Sequence, residues 1–189
     1  MSARAFVAIM AALALIGLLG FGLISNGTAS VAVGDDAPSV ELPRLDGEGT
    51  VSLEDYRGSW VLINFWASWC TPCRDESPAL QRFHERAGND VVVLGIDTQD
   101  LSGDATDFVA EFGLSYPILR DPDTESPLSD EFGATGLPES FLIDPDGRFA
   151  AICRGPLTTD DLEEVIAPLA AEREITASSD GSLCQTGAT

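Results

Sequence analysis

Two cysteines separated by two residues follow a buried strand almost directly, and this feature constrains the fold more than any other. Residues Trp60–Trp66 read WVLINFW, a continuous apolar run of the length expected for a strand buried on both faces. Cys70 and Cys73 follow with Pro72 between them, at the start of a helix predicted over residues 70–87. A strand that leads into a helix through this motif predicts an α/β domain in which the cysteines serve redox chemistry.

The chain continues as an alternation of apolar runs and helical patterns. Further strands are predicted at Val91–Asp97, residues 116–119, residues 140–144 and Phe149–Arg154, and further helices at residues 105–112, 126–132 and 158–173. A short apolar alternation ahead of the first core strand predicts a β-hairpin arm. We therefore expect one α/β domain over residues 35–173 and a flexible tail over residues 174–189, which are rich in Ser, Thr and Gly.

The first 34 residues differ in composition from the rest, because Arg4 is their only charged residue. Residues 5–24 carry no charge, and as a helix they would rise ~30 Å, which matches the hydrocarbon core of a bilayer. This predicts a membrane anchor over residues 1–34, with the amino terminus in the cytoplasm and the domain outside. The alternative is a cleaved signal peptide, although its apolar core usually stops at ~7 to 15 residues. Either interpretation exports the domain to a compartment where disulfides persist.

The charge balance excludes one class of partner. Ten arginines, no lysine and 31 acidic residues give a net charge of −21. Such a surface repels phosphate backbones, so nucleic acid is not expected as a partner.

The C-x-x-C spacing on a first helical turn has a chemical consequence. It brings the two sulfurs within bonding reach, and the free N–H groups and the helix dipole stabilise a thiolate on Cys70, the predicted nucleophile. Pro72 suits this turn because its missing N–H costs the helix nothing. An inert staple and half of a zinc site are the alternatives, but Cys153 and Cys184 are far apart in sequence, and no metal is expected. Those two cysteines are either separate thiols or a second disulfide.

Three stretches of sequence, NFWASWCTPCRDESP, GLPESFLID and GPLT, resemble the TlpA/ResA/CcmG group of membrane-anchored, thioredoxin-like disulfide reductases. The resemblance covers residues 35–170 and implies a thioredoxin-like fold, with a central mixed sheet flanked by helices and an N-terminal β-hairpin extension. It also implies a cis peptide bond before Pro138, facing the disulfide, and pairing of the Leu137 backbone with an extended client segment. Trp69, next to Cys70, is expected to form the rim on which a partner docks.

One acidic residue stands out on the predicted helix. Thioredoxin manages the proton of its second cysteine with a buried aspartate and a nearby lysine, and here those places fall on Asn64 and Val93. Glu76, three residues after Cys73, lies on the same helical face, and a similarly placed glutamate belongs to the active site of the family that this chain resembles. We predict that Glu76 exchanges a proton with Cys73 and that Asn64 is a structural support. The alternative is a solvated helix glutamate.

The predicted function is an extracytoplasmic thiol-disulfide oxidoreductase without a cofactor, which reduces disulfides of exported proteins. Cys70 attacks the client disulfide and Cys73 resolves the mixed species. The resemblance implies a membrane thiol carrier as electron donor and clients that include the haem-attachment cysteines of apocytochromes c. One alternative is a peroxiredoxin, which needs a threonine three residues before its cysteine, where this chain has Ala67. The other is a non-enzymatic, membrane-anchored docking module with a structural disulfide.

Overall fold

The computed structural model describes residues 31–100, 103–121, 127–171 and 183–187. A two-stranded hairpin comes first, with β1 at Glu41–Pro43 and β2 at Thr50–Ser52, and a 3-10 turn at Leu53–Tyr56 follows it. The hairpin packs beside a six-stranded sheet, because Arg44 after β1 forms a bridge to Leu119 in the main sheet.

The main sheet is mixed and lies between helices. Its strands are β3 (Trp60–Trp66), β4 (Val91–Asp97), β5 (Ile118–Arg120), β6 (Glu139–Ile143), β7 (Phe149–Arg154) and β8 (Cys184–Thr186). The helices are α1 (Thr71–Ala87), α2 (Asp104–Phe112), α3 (Leu128–Glu131) and α4, which consists of Thr159–Asp161, a π-helical turn at Leu162–Ile166, and Ala167–Ala170. The strand order is β5-β4-β3-β6-β7-β8, with β3, β4 and β5 parallel and the other three strands antiparallel to their neighbours. The predicted thioredoxin-like α/β fold with a mixed sheet and a hairpin extension is confirmed.

Side-chain alternation along the strands gives the sheet two different faces. The aromatic face carries Phe65, Phe141 and Phe149, and α3 and the hairpin pack on it. The opposite face, which we call the redox face, carries Leu62 and Trp66 and is covered by α1, α2 and α4. Both faces are buried, which explains why β3 reads as a continuous apolar run.

Several predicted ends of helices and strands differ from those observed. The helix predicted from residue 70 begins at Thr71, because Cys70 has an extended backbone and serves as the N-cap. The helix predicted over residues 126–132 is limited to α3, and the last helix ends at Ala170 within the described residues. Its predicted start is correct, because Thr158 and Asp161 form a reciprocal capping box.

The tail contains a strand that the sequence did not indicate. Residues Cys184–Thr186 form β8 against β7, and a disulfide joins Cys184 to Cys153. The expectation of a flexible tail is therefore wrong for these three residues, because a cross-link and a strand pairing hold them. Of the two alternatives left open for Cys153 and Cys184, separate thiols or a second disulfide, the structure has the disulfide.

Within the described ranges, no helix is both long and apolar enough to cross a bilayer. The anchor predicted over residues 5–24 lies outside those ranges.

Candidate active site

The redox pair lies where β3 leads into α1. Cys70 is the N-cap of α1, its sulfur accepts the Cys73 backbone N–H at 3.2 Å, and the two cysteines form a disulfide. Pro72 occupies the first turn of the helix, as its missing N–H allows. Cys70 is 4% exposed and Cys73 is 0% exposed, so both cysteines are buried and Cys70 is the less enclosed of the two.

The rim beside the disulfide is formed by an exposed but anchored tryptophan. Trp69 is 61% exposed, yet its indole N–H donates to the carbonyl of Gln99 at 3.1 Å. The backbone N–H of the preceding Ser68 donates to the buried Asp100 carboxylate at 2.9 Å. These two bonds tie the active-site loop to the segment after β4, so the indole ring has a fixed place next to Cys70.

A cis-proline lies at the same end of the sheet. The Leu137–Pro138 peptide bond is cis, as the resemblance implied. Pro138 immediately precedes β6, whose first residue, Glu139, pairs with Phe65 near the carboxyl end of β3. Because β3 ends close to Cys70, the fold brings the cis-proline and the cysteine pair to neighbouring positions at one end of the sheet.

Glu76 is a buried carboxyl group with two hydrogen-bond donors. It is 2% exposed, and its Oε1 accepts from Asn64 Nδ2 at 2.8 Å. Its Oε2 accepts from the backbone N–H of Leu157, also at 2.8 Å. Burial raises the pKa of Glu76 to about 7, although both hydrogen bonds oppose this shift by favouring the ionised form. The interpretation of Glu76 as a solvated helix residue is therefore wrong.

Asn64 belongs to the same hydrogen-bond network. Its amide donates to Ser140 Oγ at 3.0 Å as well as to Glu76, so it links β3, β6 and α1. Tyr116 is buried nearby, and burial together with the negative charge of Glu76 raises the pKa of its hydroxyl. The sequence pattern did not single out Ser140 and Leu157, although Ser140 is a polar residue near the start of an apolar strand.

Comparisons with known proteins give this geometry a family. The model of the AhpC/TSA family matches residues 33–152. The thiol:disulfide interchange protein DsbE homolog of Paracoccus denitrificans is 37% identical over 175 residues, which cover 88% of this chain and 94% of that protein. The thiol-disulfide oxidoreductase ResA of Oceanobacillus iheyensis is 31% identical over 170 residues, covering 85% and 86%.

This chain belongs to the ResA/CcmG-type family of thiol-disulfide oxidoreductases. A solved structure agrees with this assignment. The crystal structure of a DsbF homologue from Corynebacterium diphtheriae matches with a TM-score of 0.62 and 34% identity, covering 75% of this chain and 93% of that one. The predicted family, the thioredoxin-like fold and the oxidoreductase activity are confirmed at this level.

Proposed function

We propose that this family member is a membrane-anchored reductase of disulfides in exported proteins, with Cys70 as nucleophile, Cys73 as resolving cysteine and Glu76 as the proton-exchanging group. The observation that carries the proposal is the position of the cysteine pair. Cys70 caps α1, where the helix dipole and free N–H groups favour a thiolate, and Cys73 lies fully buried within the first turn.

The reaction consists of two exchange steps. The Cys70 thiolate attacks one sulfur of the client disulfide, forms a mixed disulfide and releases the other client sulfur as a thiolate. Cys73 then gives its proton to a base and attacks the Cys70 sulfur, which releases the second client thiolate. The client gains two electrons, and the enzyme is left with the Cys70–Cys73 disulfide that the structure shows. A dithiol of the electron donor reverses the same steps to regenerate the enzyme.

Glu76 is suited to take the proton from Cys73. It lies one turn further along α1, is buried with that cysteine, and has a pKa raised to about 7. A group with a pKa near the working pH can both accept and return a proton. The carboxylate form, which is the base, predominates above pH 7, so resolution is expected to slow as the pH falls below that value.

We assign client binding to the end of the sheet where Trp69, Leu137 and Pro138 lie. Trp69 offers an exposed aromatic surface that is held in place, and Leu137 precedes the cis-proline at the head of β6. We propose that an extended client segment pairs with the Leu137 backbone by strand addition while its cysteine is bonded to Cys70.

The location is proposed from the amino-terminal sequence and the second disulfide. The uncharged residues 5–24 favour an anchor, and the Cys153–Cys184 disulfide fits a domain outside the cytoplasm. A membrane thiol carrier then supplies electrons, and apocytochromes c are among the clients. Membrane fractionation and N-terminal sequencing test the anchor, and a mature chain that starts near Val31 or Val33 contradicts it.

Trapping of clients tests the roles of the two cysteines. Cys73→Ser is expected to accumulate mixed disulfides with client proteins, whereas Cys70→Ser is expected to form none, and both should lose insulin reduction. Equal trapping by the two variants would overturn the assignment. A wild-type chain that leaves insulin oxidised would indicate a docking module, and thiol-dependent consumption of hydrogen peroxide would favour a peroxiredoxin despite the buried Ala67.

A further inference from the structure

The second disulfide lies in the same cross-strand row as the hydrogen-bond network of Glu76. Asn64 of β3 pairs with Ser140 of β6, Ser140 pairs with Cys153 of β7, and Cys153 pairs with Cys184 of β8. Paired positions on one face of a sheet bring side chains together, since neighbouring strands lie ~4.8 Å apart. Asn64, Ser140 and Cys153 are all buried. The cross-link therefore ends a buried row that begins beneath Glu76.

The first connection runs along this row to Oε1 of Glu76. The Asn64 amide has two N–H bonds, and the structure directs one to Glu76 and the other to Ser140 Oγ. Ser140 Oγ thus accepts the second N–H of the amide whose first N–H faces the carboxylate, and so holds the amide in place. A displaced Ser140 would remove this acceptor and loosen the amide, which weakens its hydrogen bond to Glu76. The backbone position of Ser140 depends in turn on its pairing with the cross-linked Cys153.

The second connection runs along the chain to Oε2. Leu157, whose N–H donates to Oε2, comes four residues after Cys153, inside the loop that the disulfide closes over a sequence separation of 31. Two backbone bonds fix the intervening turn, from Arg154 N to Leu183 O and from Gly155 N to Pro138 O, each at 3.0 Å. The turn that carries Leu157 is therefore held between Leu183, the residue before β8, and the cis-proline.

We propose that the Cys153–Cys184 disulfide is a positioning cross-link that holds both hydrogen-bond donors of Glu76 in place. Neither cysteine takes part in the exchange steps. The cross-link acts through Ser140 and Asn64 on one oxygen and through Leu157 on the other. The relevance of this role to turnover rests on the function proposed above for Glu76.

The test is a direct titration of the Glu76 carboxyl group in the oxidised, full-length protein. Cys70 and Cys73 do not titrate in that form, and Tyr116, a titratable side chain near Glu76, has a pKa raised by burial. Carboxyl ¹³C NMR of glutamate-labelled protein follows the signal, which is assigned by its loss in Glu76→Gln. This readout needs no enzymatic activity.

Removal of the cross-link is expected to raise the pH at the midpoint of the Glu76 carboxyl titration, which we call the Glu76 midpoint. Hydrogen bonds to an ionised carboxylate lower its pKa, so Cys153→Ala combined with Cys184→Ala should shift the midpoint upward by about one pH unit. Ser140→Ala, which disturbs only the Oε1 connection, should give a smaller shift in the same direction. Leu128→Ala, a core truncation on the aromatic face, is the control for lost stability and should leave the midpoint unchanged.

Two results would overturn the proposal. One is a double variant whose midpoint equals the wild-type value, and the other is an equal shift in Leu128→Ala. If the double variant does not fold, Cys184→Ser breaks the same bond, leaves the buried Cys153 in place, and decides the question by the same titration. Failure of the proposed function has a different signature, because Glu76→Gln would then reduce clients at the wild-type rate whatever the titration shows.

Discussion

The two faces of the central sheet differ in what their side chains can do, although the same strands supply both. On the aromatic face, Phe65, Phe132, Phe141 and Phe149 pack with ring centroids between 5.3 and 5.8 Å apart. On the redox face, the residues next to two of these phenylalanines are Asn64 and Ser140, which bond to each other and connect to Glu76. Both faces pack a hydrophobic core, and on the redox face that core also surrounds the ordered carboxyl group of Glu76.

This difference shows how a buried strand can serve two purposes. Side chains alternate along β3 and β6, so a polar residue can enter one face without disturbing the packing of the other. The cost of burying Asn64 and Ser140 is offset because each has a hydrogen-bond partner. Substitutions on the two faces are therefore expected to separate stability from pH dependence.

The largest effect on stability is expected on the aromatic face. Phe141→Ala removes a fully buried ring that contacts three other phenylalanines, and should lower the free energy of unfolding by about 3 to 5 kcal/mol. Denaturant unfolding measures this loss. The Glu76 midpoint should stay at its wild-type value, because the ring lies on the opposite side of β6. A shifted midpoint in the folded variant would show that the two faces are not independent.

A pH-dependent effect is expected from Glu76→Gln. The folded-state pKa of about 7 lies above the ordinary value of 4.5, so the folded protein holds this proton more tightly than the unfolded chain does. The stability contributed by Glu76 is therefore complete below pH 4.5 and is lost as the pH rises through 7, by about 3 kcal/mol in total. Glutamine does not ionise and should abolish this loss.

The measurement is the difference in free energy of unfolding between Glu76→Gln and wild type, both oxidised, across this pH range. The difference should change in favour of the variant as the pH rises, while contributions from the other carboxylates cancel. A difference that is independent of pH would contradict the raised pKa and would separate Glu76 from proton exchange with Cys73.

The fold was predictable where it depends on local pattern. The bounds of β3, β4 and β7 coincide with the apolar runs in the sequence, because a strand buried on both faces tolerates almost no charge along its length. Strand β8 was not predictable in this way. Its sequence, Cys-Gln-Thr, has no apolar run, and its place depends on a disulfide to a residue 31 positions away.

The residues of the candidate site also differ in how far the sequence could predict them. Cys70, Cys73 and Glu76 could be grouped from the sequence because they share the start of one helix. Ser140 lies 76 residues from its partner Asn64, and Leu157 lies 81 residues from Glu76. No periodicity relates such distant positions, so only the packed sheet reveals that they act on the same carboxyl group.

The smallest predicted effect, from Asn64→Ala, tests the comparison within a single strand. From the sequence, we expected Asn64 to be a structural support. The hydrogen bond from Asn64 to Glu76 changes that expectation, because it lowers the pKa of Glu76. Asn64→Ala should therefore raise the midpoint of the Glu76 carboxyl titration by about one pH unit.

The matched control is the neighbouring residue Ile63, whose side chain lies on the aromatic face. Ile63→Val removes one methylene and should lower the free energy of unfolding by about 0.5 to 1.5 kcal/mol without moving the midpoint. Equal Glu76 midpoints in Asn64→Ala and Ile63→Val would show that Asn64 has a purely structural role. A shift confined to Asn64→Ala would show that consecutive residues of β3 control different properties, because their side chains point to opposite faces of one sheet.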